Sequence, residues 1–145
     1  MLSSTNDVSS FIPLPTVQNK LVIEKSEKQA QLKEQIYNQN VARAEAILTK
    51  YNSPFAGLGY IIVQKTEECG GDFRFLLAIA GNESGFGRIP YKQYNPFGYL
   101  NGVTYSGWEE ALSVLSCKIA QQYLVPCDSK PECIVVKYAG PSDDK

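Results

Sequence analysis

The chain has 145 residues, 43% of them hydrophobic and 20% charged, enough material to bury the core of one domain. Fourteen basic residues against fifteen acidic ones leave a net charge of −1, which argues against binding nucleic acid or an anionic membrane by charge alone. Histidine is absent, so serine–histidine and cysteine–histidine nucleophile pairs and most catalytic zinc sites are excluded; acid–base chemistry falls to Asp, Glu, Lys, Tyr or Cys.

Residues 1–19 are aperiodic and rich in Ser, Thr and Pro, and they read as a disordered leader. They lack the basic start and apolar stretch of a secretory signal, so export by another route, or origin in a longer chain, is expected. Nowhere do ~18 apolar residues run together, as a transmembrane helix would require. From 20 to 50 the text turns helical, "KLVIEKSEKQAQLKEQIYNQNVARAEAILTKY", with Leu32, Ile36, Ala44, Ile47, Leu48 and Tyr51 at spacings near three and four. Residues 20–40 are polar, with Glu24 and Lys28 as an i,i+4 pair, and are expected to form a solvated extension. Broken heptads argue against a coiled coil there. Residues 41–145 are assigned to the globular domain.

"NSPFAGLG" breaks the pattern, and a helix is expected from Leu58 to Glu68, ended by "CGG". Asp72 is placed to cap the next helix, "FRFLLAIAGNE", whose apolar residues surround it and predict a central buried helix ending at Glu83. An aromatic-rich loop follows, with Asn101-Gly102 between "FGYL" and "VTY" predicting a small β-hairpin. Ser106 and Glu109 predict a capping box at the start of a helix carrying Trp108, Leu112, Leu115, Ile119 and Tyr123 on one face. "PECIVVKYAG" predicts a last short helix ending near Gly140. The fold expected is therefore mainly α with one hairpin. The four cysteines allow three disulfide connectivities or none; Cys127 and Cys133, which bracket "DSKPE", are the favoured pair.

Glu83 is the residue with the clearest chemical promise. Burial and the negative end of a helix dipole would both favour its neutral, proton-donating form. Gly85 and Gly87 leave room beside it for a ligand. The plainer alternative is an exposed glutamate in a fraying last turn. Phe86, Tyr91, Tyr94, Phe97, Tyr99 and Tyr105 crowd the following segment; Phe97 is the leading core candidate, while tyrosines can also offer flat faces to sugar rings. One acid among tyrosines points to cleavage of a glycosidic bond.

"LLAIAGNESGFG", "NPFGY" and "YSGWEEAL", in that order, resemble the lysozyme-like superfamily that degrades peptidoglycan, closest to bacterial glucosaminidases and soluble-lytic-transglycosylase-type domains. The resemblance covers about residues 41 to 140. It implies a lysozyme-like α+β fold, with Glu83 as the general acid cleaving the β-1,4 linkage between GlcNAc and MurNAc. Ser84, Tyr94, Asn95, Tyr99, Tyr105 and Tyr138 are the implied substrate-binding residues, Tyr138 from a loose match of "KYAGP" to a late tyrosine motif. It implies no cofactor or metal, peptidoglycan glycan strands as partner, and a secreted, periplasmic or cell-wall location. A "GLMQ"-type segment is absent, which favours the glucosaminidase branch; anhydro-forming transglycosylase chemistry and a non-catalytic glycan-binding module are the alternatives. The chain stops at "PSDDK", where related domains continue into a final helix, so C-terminal truncation is also expected.

Two roles stay open at this level. Ser84 either bonds the glutamate or caps the helix, and Asn95 either orients a ligand or makes a turn. Asp72, Glu109 and Glu110 read more simply as helix-start residues than as a second catalytic carboxylate. Asp72 is also about 16 Å from Glu83 by helical rise.

Overall fold

The computed structural model describes residues 16–99 and 103–139. The chain divides into two compact units, Met1–Gln35 and Ile36–Lys145. Helix α1 spans Val17–Lys50, so helix begins inside the expected leader, and every described residue up to Ile36 is exposed. That exposure follows from the sequence of the first unit, which spaces its few apolar residues too widely for a continuous stripe.

In the second unit a stripe does form. Tyr37, Val41, Ala44 and Leu48 recur at four, three and four residues and turn inward, with Ala44 and Leu48 fully buried. Helix α2 spans Gly59–Glu68, and its start has no side-chain cap of its own. Glu45 of α1 supplies one: its carboxylate accepts from the amides of Gly57 (2.7 Å) and Gly59. A β-carbon at position 59 would lie 2.6 Å from Glu45 Oε1, so glycine keeps this cap accessible.

Helix α3, Phe73–Ser84, starts as expected: Asp72 is extended and accepts from the Arg74 amide at 2.9 Å. It ends in a left-handed Gly85, with the amides of Gly85 and Phe86 returning to the carbonyls of Gly81 and Ala80. The expectation that α3 is buried all round is corrected. Phe73, Leu76, Leu77, Ala80 and Ser84 face the core, while Arg74, Ala78, Asn82 and Glu83 are exposed. One apolar stripe is enough to join the core, and the other, Phe75 and Ile79, is left half-covered.

Helix α4 spans Trp108–Ile119 and packs closely on α2, joined to it by the Cys69–Cys117 disulfide. Its capping contact is shifted from the expected pair. Gly107 is the N-cap, which makes Glu110 the third helical residue, and Glu110 accepts from both the amide and the hydroxyl of Ser106 at 2.7 Å. Beyond Ile119 the helix widens into a π turn, Ala120–Leu124. The wide turn adds a residue to the register, so Leu124 takes the buried place that unbroken periodicity assigns to Tyr123. Helix α5, Pro131–Ala139, follows a loop closed by the expected Cys127–Cys133 disulfide.

The described residues are mainly helical and contain no sheet; the one β-bridge is isolated, between Lys92 and Asn95. The expected hairpin is corrected to that extent. Its Asn101-Gly102 turn lies outside the described residues, but residues 97–99 and 103–105 beside it form no strand. Their side chains explain why: Phe97 is fully buried, and Asn95 Nδ2 donates to the Tyr99 carbonyl, taking an acceptor that a strand ladder would need. No described helix is long and apolar enough to cross a membrane.

The two disulfides close loops of very different length, 48 and 6 residues apart in sequence. Loop-closure entropy then assigns about 4 kcal/mol to Cys69–Cys117 and about 2 kcal/mol to Cys127–Cys133. Denaturant titration of the two double Cys→Ser variants is expected to show that order; the reverse order would refute it.

Candidate active site

The second unit holds a cavity of about 420 Å³ between α3 and α5, lined by Phe75, Ala78, Ile79, Asn82, Glu83, Pro131, Ile134, Val135 and Tyr138. The half-covered stripe of α3 makes one wall and the successive turns of α5 the other. Most of this lining is apolar, and Glu83 is its only carboxylate among the described residues.

Three local devices position Glu83. The neighbouring Ser84 is buried, and its hydroxyl lies 2.7 Å from the Pro96 carbonyl and 3.0 Å from that of Ala80, while accepting from the Gly87 amide at 2.7 Å. This ties the end of α3 to the loop after it. Second, that loop brings Gly98, with φ +64°, against the carboxyl: a β-carbon there would stand 2.9 Å from Glu83 Oε2. Glycine suits the left-handed backbone there and leaves the carboxyl room to approach it. Third, Asn82 Nδ2 lies 3.4 Å from the other carboxyl oxygen.

The expectation of a dehydrated Glu83 is corrected: the residue is exposed. It follows two residues after Gly81 on the side of α3 away from the core. It nonetheless sits at the rim of a concave surface.

Tyr138, one of the expected binding residues, lines the same cavity as Glu83. Its hydroxyl donates to the Phe97 carbonyl, so α5 is fastened to the peptide just before Gly98. Burial raises the Tyr138 pKa well above the ordinary tyrosine range, and the charge of Glu83 raises it further, which places the two side chains in one electrostatic environment. Tyr123 packs edge-on to Tyr138, with ring centroids 5.0 Å apart, and to Tyr99, 6.0 Å apart. The Tyr99 hydroxyl donates to Gln122, so the π turn presents Gln122 and Tyr123 together.

Of the expected binding residues, Tyr138 alone lines the cavity with Glu83. Ser84 and Asn95 are buried and satisfied internally; Asn95 Oδ1 accepts from the Phe97 amide at 3.3 Å. Tyr94 stands edge-on to Trp108 at 5.4 Å, away from the cavity. Tyr99 supports Tyr138 through Tyr123. Tyr105 is half-buried, its hydroxyl has no partner among the described residues, and burial raises its pKa. Sequence reasoning missed the apolar wall of Phe75, Ile79, Ile134 and Val135. Its signal was a pair of second stripes, 75/79 on α3 and 134/135/138 on α5, at helical spacing.

Comparison of the chain with protein-family models, with curated proteins and with solved structures finds no significant match.

The Tyr138 shift has a pH consequence of definite sign. A raised folded pKa means stability that is full below the unfolded value, 10.0, and lost as pH climbs above it toward the higher folded value. Tyr138→Phe is expected to cost about 1 kcal/mol at neutral pH through the lost hydrogen bond. It should also lose less stability than wild type between pH 10 and the alkaline limit of the melt. Parallel alkaline profiles in thermal melts would contradict this.

Proposed function

We propose that the chain cleaves the β-1,4 linkage between the amino sugars of peptidoglycan, with Glu83 as general acid, in the manner of the bacterial glucosaminidases that its motifs resemble. The observation that carries the reading is the placement of one carboxyl at the rim of an apolar cavity, beside Gly98. A sugar ring seated on Phe75 and Ile79 would itself exclude water from around that carboxyl, supplying the dry surroundings that the free protein lacks. Glu83 then donates its proton to the glycosidic oxygen as the bond to the anomeric carbon lengthens and positive charge spreads onto the ring oxygen. Glu83, now anionic, lies beside that charge, and in a hydrolase it removes a proton from the incoming water. Tyr138 forms the wall opposite and keeps the Phe97–Gly98 peptide from drifting. The lysozyme-like family belongs to the same proposal.

One observation favours a second reading. No other carboxylate is among the described residues lining the cavity, so a two-carboxylate hydrolysis has no evident partner for Glu83. A transglycosylase needs one group only: Glu83 as base would draw the proton from the sugar's own 6-hydroxyl, which closes an anhydro ring in place of water. The location proposed is outside the cytoplasm, where the substrate lies, and it is supported by two disulfides and no free thiol among the described residues.

Purified peptidoglycan incubated with wild type and with Glu83→Gln separates these outcomes. Released muropeptides with reducing GlcNAc ends are expected, and anhydro ends would assign the transglycosylase. Loss of the acid is expected to slow release by about 10²- to 10⁴-fold. Equal release by both proteins, or intact sacculi with both, would overturn the catalytic reading.

A further inference from the structure

A second cavity of about 340 Å³ lies on the other side of α3, where Ile47, Leu77 and Phe86 supply apolar surface and Lys50, Tyr51 and Arg74 the polar rim. Ala78 lines both cavities. It belongs to the exposed row Arg74, Ala78, Asn82, whose four-residue spacing makes a ridge along the helix. At Ala78 that ridge is reduced to a methyl group, a low saddle on the wall that both cavities share.

Their charges are divided. Among the described residues the first cavity has a carboxylate and no cation; the second has two cations and no carboxylate. Arg74 is partly neutralised by Asp72, to which its Nε donates at 2.9 Å. Lys50 makes no salt bridge with any described residue, and its ammonium lies 5.4 Å from the centre of the Tyr51 ring. Tyr51 in turn stacks on Phe86 at 4.6 Å, which holds a flat platform beside the cation. An occupant that crosses the saddle would meet a proton donor at one end and positive charge at the other.

We propose that this second cavity seats a carboxylate-bearing peptide stem of the same strand whose sugar lies at Glu83, so that the protein selects stem-bearing strands over uncharged glycan. The inference rests on the function proposed above. An uncharged sugar polymer would fill the first cavity and leave Lys50 unused. A stem carboxylate would pair with Lys50 and the free edge of the Arg74 guanidinium, with its apolar side chains against Ile47 and Phe86.

The test measures equilibrium binding of wild type, Lys50→Gln, Lys50→Glu and Ala78→Trp to two soluble probes. One probe is a peptidoglycan strand fragment that keeps its stems; the other is an uncharged β-1,4-linked GlcNAc oligomer. For the stem-bearing fragment, Lys50→Glu is expected to weaken binding about tenfold, with Lys50→Gln between it and wild type. For the uncharged oligomer the change should stay within about twofold, because no charge is contacted. Ala78→Trp should weaken the stem-bearing fragment more than the oligomer, and added salt should erase part of the Lys50 difference. Equal effects on both probes, or no effect of any variant, would overturn the proposal while leaving the sugar site standing. Failure of wild type to bind either probe would overturn both. Full cleavage by Glu83→Gln would sink the catalytic reading alone, since binding is read without turnover.

Discussion

The hydroxyl of Ser84 fixes the geometry of everything around it. It is buried, and it contacts three backbone groups from two segments: the preceding turn of α3, the loop residue Pro96, and the Gly87 amide. A buried hydroxyl stripped of those partners would leave unsatisfied amide and carbonyl groups, at a cost of about 1–3 kcal/mol each. The result is that the helix end and the loop move as one body. Glu83 stands on that body by being next in sequence, and its exposure is set by the register of α3 rather than by any contact of its own.

The loop is secured at its far side by a second hydrogen bond, from Tyr138 to the Phe97 carbonyl. Phe97 is fully buried, and Gly98 immediately after it meets the Glu83 carboxyl. Three elements distant in sequence are therefore tied together beside Glu83 by hydrogen bonds to backbone groups. The Cys127–Cys133 bridge restrains the loop that leads into α5, and with it the cavity wall of Ile134, Val135 and Tyr138. Stability and site geometry are thus linked through the same residues.

Much of this was legible in the sequence where a local rule has one outcome. Asp72 as N-cap, Gly85 after the last helical turn, the α4 stripe and the Cys127–Cys133 loop all follow from neighbours within a few residues. What escaped depends on contacts between distant elements. α3 carries two apolar stripes, and nothing in its own twelve residues says that only one enters the core. The π turn shifts Tyr123 out of its periodic place, and periodicity assumes that no residue is inserted. Ser84 and Asn95 sit beside Glu83 and Phe97 in sequence, as ligand-binding residues would, yet both are spent on backbone groups. Glu45 as the cap of α2 could not be anticipated, because a cap borrowed from another helix leaves no local motif.

The central claim is positional: a single carboxyl at the α3–α5 cavity faces the bond to be broken. A crystal structure of Glu83→Gln bound to an oligomer of alternating GlcNAc and MurNAc tests it most directly. The expected result is a glycosidic oxygen within about 3 Å of the Gln side chain at position 83, with a sugar ring resting on Phe75 and Ile79. Sugar bound elsewhere on the protein, with position 83 facing open solvent, would contradict it.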